Sequence, residues 1–404
     1  MNRALESGAP SASSSWEEDP LLSQQQTAST TSRATVRVFA APDSWIESDA
    51  VDQCHQVAAL DGMTHVAGMP DLHPGKGAPI GAAMLSSVLY PLLVGSDIGC
   101  GIAVFPFKLK RVVPERLAGR FPDLDEPIDA ASLNGMKIPG GYAEQLGTLG
   151  RGNHFVELAR VHDVLDAGHA DRLGLATGDT VLIVHSGSRG LGQRILRAHT
   201  EEHGAGPAAD PVAYLAAHDE AVRWGHLNRR LMAGRVADAL GAELGEPVTD
   251  VCHNSVEVRS GLDRHGAHAD GLYLHRKGAA PGDGQDVLIA GTRGTHSFLV
   301  AGHSGAEAGH SVAHGAGRKM SRADALRRGK AKHRVEELRR TSVGSFVVCG
   351  DRQLLFEEAP TAYKRIEQVI GDLVSHGLAT PIVSTLPLVT YKTAEPAPRS
   401  GGRR

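Results

Sequence analysis

The stretch Val94–Gly101 reads VGSDIGCG and sets Asp97 and Cys100 three residues apart in a glycine-rich loop. Later runs share the habit of one ligand-type residue among glycines or at a strand end. GRGNHFVEL carries His154, LIVHSGSRG carries His185, and VCHNSVEV carries His253. Together they offer one carboxylate, one thiolate and three imidazoles. That mixture suits Mn, Fe, Co or Zn better than Mg or Ca, and five donors with a bridging thiolate can hold two ions with positions left open for substrate. The residues are scattered over about 150 positions, so spacing alone does not join them. Two readings stay open at this level: a shared metal site, or separate structural histidines and an inert buried thiol.

Other loops carry phosphate-type chemistry. In HSGSRGLG a strand ends, glycines loosen the turn, and a helix-like run GQRILRAHTEEHG follows. Exposed backbone N–H groups there can form an anion nest to which Arg189 adds a charge; a plain strand-to-helix turn fits as well. HSVAHGAGRKMSR places His314 before Gly315-Ala316-Gly317 and the pair Arg318–Lys319. A neutral imidazole beside such a nest can attack a phosphorus held there and form a phosphoramidate. From Arg318 to Arg340 the chain carries ten Lys and Arg against Asp324, Glu336 and Glu337. Such a run suits a phosphate backbone or a solvated helix face. LYLHRKGA adds Arg276 and Lys277. GMPDLHPGKGAPIG joins Asp71, His73 and Lys76 in a loop fit for acid–base work, a phosphate contact or a rigid turn. There is no Walker A loop, and no GxGxxG stands between a strand and a helix as a dinucleotide fold requires.

These loops need a scaffold. The 404 residues allow a large core, and 41% hydrophobic with 22% charged is ordinary for a globular chain. Aromatics at 4% beside 48 glycines point to a loop-rich protein whose backbone approaches something closely. A formal charge of −4 excludes a chain basic throughout, so any nucleic-acid surface is a local patch. The four cysteines show no paired spacing, and no apolar leader or membrane-length run is present. The expectation is reduced thiols, a cytoplasmic location and no membrane contact.

ATVRVFA and TVLIVH read as strands, and DVLIAGTRGTHSFLVAG reads as two strands around a turn. A long helix is expected from Asp210 and Pro211 onward, and a second over TAYKRIEQVIGDLVSHG. The second would turn Ile366, Val369, Ile370, Leu373 and Val374 to one face and end at Gly377. Strands and helices mix without βαβ alternation, which predicts an α+β fold. The expectation is one large domain of mixed β-sheets flanked by helices over 34–392, with the site in glycine-rich loops. Disordered tails are expected over 1–33 and 393–404.

Taken in order, GMPDLHPGKGAPIG, VGSDIGCGI, LGTLGRGNHFVEL, VHSGSRGLG, CHNSVEV, HRKGA, GTRGTHSFLV, HGAGRKMSR and EAPTAYKRIEQVI closely resemble the RtcB-type RNA ligases, which seal RNA ends using GTP. The resemblance covers nearly everything between residues 60 and 392. It implies two Mn²⁺ ions (Zn²⁺ or Co²⁺ would suit the same donors in vitro) held by Asp97, Cys100, His154, His185 and His253, with Cys100 bridging. It also implies His314 as the nucleophile that takes GMP from GTP. Asn153, Glu157, Asn254, Gly291, Thr292, Arg293, Ser297, Gly315, Ala316, Gly317 and Lys392 would line the guanylate pocket. Asp71, Lys76, Arg189, Arg276, Lys277 and Arg318 would contact RNA or phosphate.

The implied reaction opens a 2′,3′-cyclic phosphate to a 3′-phosphate by metal-activated water, moves GMP from His314 to it, and joins it to a 5′-hydroxyl. The chain departs from the family where AGTRGT replaces PGSMGT, which brings the charge of Arg293 to the pocket wall, and where Arg151 replaces a glycine. Twelve residues also follow Lys392. These departures resemble a divergent bacterial subgroup associated with a release-factor-like partner and RNA repair. An archease-type activator and a monomeric state complete the expectation. Two other classes remain: a binuclear-metal cyclic phosphodiesterase that does not ligate, and a non-catalytic RNA-binding protein using the basic run.

Overall fold

Asp210 and Pro211 open the longest helix, Pro211–Leu240, for the reason their positions suggest. The Asp210 carboxylate accepts the backbone N–H groups of Val212 and Ala213, and proline occupies the first turn, where no N–H is needed. Gly241, left-handed at φ 67°, stops it. Residues four apart, Ala221, Gly225, Arg229, Ala233 and Ala237, form one buried stripe, with Trp224, Asn228, Met232, Val236 and Leu240 beside it. The stripe packs on Ala103, Phe105, Phe107, Leu158, Leu182 and Val184 of a sheet. Each such large side chain removed from water contributes about 1.5–3 kcal/mol.

The computed structural model describes residues 34–262 and 268–394. It is α+β, a set of mixed sheets with helices against them. The tail expected over 1–33 and residues 395–404 lie outside the described residues. Thr393 is buried and its hydroxyl accepts the N–H groups of Gly350 and Asp351, so the packed chain runs one residue past the expected boundary. Among the described residues, no helix is long and apolar enough to cross a membrane.

The large sheet runs in the order Asp283–Ile289, Ser297–His303, Ala379–Tyr391, Phe155–Val164, Thr180–Ser186, Gly101–Lys108 and Glu243–Leu244. Phe346–Val348 joins beside Ala379–Tyr391, and Thr249–Cys252 beside Gly101–Lys108. A second sheet orders Thr35–Val38, Met63–His73, Ile80–Ser86, His268–Lys277 and Asn254–Leu262, with only its first pair parallel. A short pair, Ala279–Pro281 with Ser311–Ala313, completes the set. The expected strands and the hairpin around the Gly291–Thr295 turn are all present.

The second expected helix is shorter than its apolar pattern, spanning Ile366–Ser375. Ile366, Val369, Ile370 and Leu373 are buried as expected, but Val374 is 48% exposed. The buried stripe ends at Leu373, although the helix continues to Ser375 before Gly377 turns the chain at φ 68°. Its preceding residues Pro360–Ala362 form a 3₁₀ turn instead of helix.

The helix Pro211–Leu240 does more than cover the sheet. Arg229, fully buried, donates from Nη1 to the carbonyls of Gly99 (2.9 Å) and Ser186 (2.7 Å), and from Nε to Asp250 Oδ1 (2.7 Å). Asn228, also fully buried, accepts from Gly147 N (2.6 Å) and donates to Thr148 O (2.9 Å). A Cβ on Gly225 would come within 2.8 Å of the Gly99 carbonyl, so this close approach requires glycine. Replacing Arg229 by Leu leaves two buried carbonyls without their donor and the Asp250 charge with His226 alone. It is expected to destabilise the protein by about 3–5 kcal/mol. The adjacent Arg230→Leu, which removes an exposed pair with Glu246, is expected to cost about 1 kcal/mol or less. Urea unfolding of the two variants checks this, and equal losses would contradict it.

Candidate active site

Strand register brings the dispersed donors together. Gly101 pairs with Ser186 on one side and Cys252 on the other, and Phe155 pairs with His185. Cys100, His154, His185 and His253 therefore meet at one end of the large sheet. Cys100 Sγ lies 3.4 Å from His154 Nε2 and 3.3 Å from His185 Nε2, and the Nε2 atoms of His185 and His253 are 3.3 Å apart. Asp97 Oδ2 is 2.8 Å from His154 Nε2. Its carboxylate presses on Gly187, where a Cβ would meet Oδ1 at 2.2 Å.

The chemistry of this donor set fits a cation. His154 Nδ1 donates to the Leu149 carbonyl (3.0 Å), which leaves the Nε2 lone pair facing the cluster. Burial first, then the neighbouring imidazoles, push His185 and His253 well below the usual histidine range, so both rings are neutral. Burial and the Asp97 charge push the Cys100 thiol up. Burial alone would raise Asp97, yet His154 and Arg189 hold it below the usual carboxylate range. Sulfur, nitrogen and one oxygen at these separations suit Mn, Fe, Co or Zn.

His314 follows the strand Ser311–Ala313, and the Ala316 N–H donates to the Ala290 carbonyl (2.8 Å), which ties the following loop to the Ser297 hairpin. Its ring stands 4.7 Å from the His253 ring, centroid to centroid. Asp71, wholly buried, lies 2.6 Å from His314 Nδ1 and also accepts the His314 backbone N–H (3.1 Å). The carboxylate thus stands against the Nδ1 side of the ring at ion-pair distance, without hydrogen-bond alignment to Nδ1.

One cavity of about 2110 Å³ takes in this centre. Asp97, Cys100, His185, His253 and His314 line it, as do Asn153, Glu157, Asn254, Gly291, Thr292, Arg293, Ser297, Gly315, Ala316, Gly317 and Lys392. His154, 4% exposed, sits behind Cys100 and does not line it. Glu157 is buried and accepts from Thr390 Oγ1 (2.6 Å). Burial lifts it to about 7, against the pull of Thr390 and Lys392. Burial brings Lys392 down to about 8, with Glu358, 3.8 Å away, opposing and Arg293 adding to the fall.

Several expected contacts take other positions. Asp71 is no phosphate contact, since its carboxylate is enclosed beneath His314. Arg276 is 0% exposed and bound to Glu257 (2.9 Å) and Ser311 (2.8 Å), so its charge is internal and it does not line the cavity. Lys277 reaches the cavity wall, with Nζ donating to the carbonyls of Lys76 and Ala78. Arg189, at φ 55°, packs its guanidinium against Gly150 near Asp97 and stands outside the cavity wall. Arg318 lines the cavity but pairs with Glu358 (2.9 Å) and lies over the Tyr363 ring. Arg293 is 6% exposed and donates to the Leu355 carbonyl, so it is no open positive wall. Lys76 alone of this group is exposed at the cavity.

Sequence reasoning missed Asn228, Arg229, Asp250 and Glu358. Glu358 stands inside the EAPTAYK run already singled out, where an acid next to a proline turn was the available signal. Asn228 and Arg229 gave one: two adjacent polar residues on the apolar stripe of a long helix.

Comparison with known proteins agrees with this geometry. A family model described as "tRNA-splicing ligase RtcB" matches residues 53–137 and 130–393. The chain is 42% identical over 381 residues to "RNA-splicing ligase RtcB2" of Escherichia coli, covering 91% of this chain and 97% of that protein. It is 31% identical to "RNA-splicing ligase RtcB" of Mycobacterium tuberculosis, over 84% of this chain and all of that one. Against "tRNA-splicing ligase RtcB" of Archaeoglobus fulgidus identity is 29%, over 86% and 92% respectively.

Glu157 makes the apo protein sensitive to pH. Its carboxyl stands at about 7 in the folded state against an ordinary 4.5. The folded form therefore holds the proton more tightly, and its stability is full below the ordinary value. Stability falls as pH rises to about 7 and is level above, a loss on the order of a few kcal/mol at most. Glu157→Gln removes that component. Thermal midpoints at pH 5 and pH 8 are expected to converge more in the variant than in the wild type; parallel curves would contradict the assignment.

Proposed function

Since the chain belongs to the RtcB family of RNA-splicing ligases, and is an RNA ligase on that ground, we propose that it joins RNA 2′,3′-cyclic phosphate or 3′-phosphate ends to 5′-hydroxyl ends through a GMP adduct on His314. The observation that carries this reading is the contact between Asp71 and His314 Nδ1 beside the donor cluster, in one cavity. A phosphodiesterase without ligation has no use for a histidine held in this way.

Asp97, Cys100, His154, His185 and His253 would hold manganese. When bound, it supplies charge for developing phosphoryl oxygens and acidifies water. The remaining work falls to side chains. His314 Nε2 attacks the α-phosphorus of GTP, the N–P bond forms, the α–β anhydride bond breaks and pyrophosphate leaves. Asp71 keeps the Nδ1 proton in place and stabilises the positive ring that results. A 3′-phosphate oxygen of the RNA then attacks the same phosphorus, and the N–P bond breaks. Finally the 5′-hydroxyl oxygen attacks the RNA phosphorus, GMP departs, and the hydroxyl proton passes to solvent. The loop N–H groups of Gly315 and Gly317 are suited to hold the guanylate phosphate, with the Ala316 N–H between them tied to the Ala290 carbonyl.

Glu157 and Lys392 are suited to the guanine base, one carboxyl and one ammonium buried in the cavity wall, with Asn153, Asn254, Thr292 and Arg293 also lining it. The catalytic unit in this reading is 34–392. A setting in RNA repair, a release-factor-like or archease-type partner and a monomeric state rest on the sequence resemblance.

Intact mass after incubation with GTP and Mn²⁺ tests the reading. The wild type is expected to gain one GMP and His314→Ala none. Asp71→Asn is expected to form the adduct roughly a hundred-fold more slowly or worse, because its amide no longer favours the reactive tautomer or the charged ring. A wild type that takes up no GMP with any divalent metal would remove the proposal.

A further inference from the structure

We propose that Trp45 is a stacking platform for an unpaired base of the RNA strand whose end reaches His314, an inference that rests on the ligase reading above. Aromatic residues are only 4% of this chain and it has three tryptophans. Trp224 is wholly buried, whereas Trp45 is 63% exposed and lines the same cavity as His314 and the donor cluster. A lone exposed apolar side chain needs no explanation in general. Here its placement does, because the backbone on both sides is fixed and the indole is left facing the cavity.

Ser44 Oγ donates to Asp372 Oδ2 (2.6 Å) and accepts from Gln368 Nε2 (3.0 Å). Ile46 packs on the core beneath. The helix Ser48–Ala58 that follows is tied through Gln53, which exchanges two hydrogen bonds with the backbone of Gly75 (2.8 and 3.0 Å). Gly75 lies four residues beyond Asp71, the partner of His314. The indole is therefore anchored to the same chain segment that carries Asp71, and it costs little further order to use.

Charge around the cavity says what class of ligand would lie there. Lys76 lines it, and from the Arg318–Arg340 run so do Lys319, Arg322 and Arg328, beside Arg318, which is paired with Glu358. Others are engaged: Arg327 with Asp324, Arg339 with the Cys349 carbonyl, and Arg340 over Phe346. The Trp45 wall carries Glu47, Asp49 and Asp52 instead. Glu47 faces Lys364, and Asp49 sits in the first turn of its helix, where a negative charge is favoured. An acidic wall repels phosphates and an indole accepts a base. A single strand thus fits with its phosphates along the basic wall and a base turned to Trp45. Stacking of this kind is tolerant of sequence.

The test uses the full-length protein and a labelled single-stranded RNA ending in a 3′-phosphate, read by anisotropy at fixed salt. Trp45→Ala is expected to weaken binding by roughly five- to a hundred-fold, and Trp45→Phe to restore most of it. On the same RNA carrying abasic sites near its end, the difference between wild type and Trp45→Ala is expected to vanish. Unchanged RNA affinity in Trp45→Ala, or an equal loss on the abasic strand, would overturn the proposal. So would a Trp45→Ala variant that binds RNA normally but loses binding to a polylysine peptide, which would give this face to a basic protein segment. Wild-type uptake of GMP, measured in parallel, separates this from the premise: its absence removes the ligase reading, whereas the RNA titrations decide the stacking.

Discussion

Two adjacent buried side chains on one helix hold this site together. Asn228 grips Gly147 and Thr148, and Arg229 grips Gly99, Ser186 and Asp250. The four backbone contacts and the Asp250 carboxylate belong to the four segments that carry Cys100, His154, His185 and His253. A buried guanidinium has a large desolvation penalty and is retained only where its hydrogen bonds are satisfied. Here two carbonyls and a carboxylate satisfy it, and His226, lifted to about 9 by Asp250 and Cys252 against the effect of burial, shares the same acid. The helix thus fixes by hydrogen bonding what no single loop fixes alone. Its apolar stripe supplies the energy, and the polar pair supplies the position.

The fixed geometry explains the electrostatics of the donors. The donor atoms of Cys100, His154 and His185 lie within 4.8 Å of one another, His253 Nε2 is 3.3 Å from His185 Nε2, and all four residues are buried. Burial favours the neutral form of the His185 and His253 rings and of the Cys100 thiol, which is the direction each shift takes. Such an assembly is unfavourable as a structural core and sensible as a ligand set. Burial that weakens these groups as acids or cations leaves their lone pairs ready for a metal.

How much of this was legible in the sequence depends on the range of the interaction. Asp210-Pro211 at a helix start, Gly377 at a helix end and the hairpin around Gly291 are local rules, and the chain obeys them. Val374 broke the pattern because it is exposed although it lies within the helix, and apolar periodicity does not see where burial stops. The donors could be named by type, but their meeting depends on strand register between residues as far apart as Gly101 and Cys252. Arg276 failed for the same reason. A lysine–arginine pair reads as exposed in sequence, and only the pairing of its strand shows Arg276 facing Glu257 and Ser311.

The interleaving of the motifs follows from where the cavity lies. Cys100 and His185 stand at the end of the large sheet, whereas Asp71 and Asn254 belong to the five-stranded one. His253 is the residue between them: Cys252 still pairs with Gly101 in the first sheet, and Asn254 already pairs with Lys277 in the second. His314 arrives from the short third pair and meets both, with Asp71 behind its ring and His253 beside it. A site built across a seam between sheets must draw each ligand from a different crossing of the chain. Such a site needs a rigid frame on either side, because a small shift of one sheet against the other would part His314 from the Asp71 carboxylate or from His253. That requirement gives a physical reason for glycines at the crossings: Gly187 against Asp97 and Gly225 against Gly99 let backbone and side chain approach where any Cβ would hold the two sides apart.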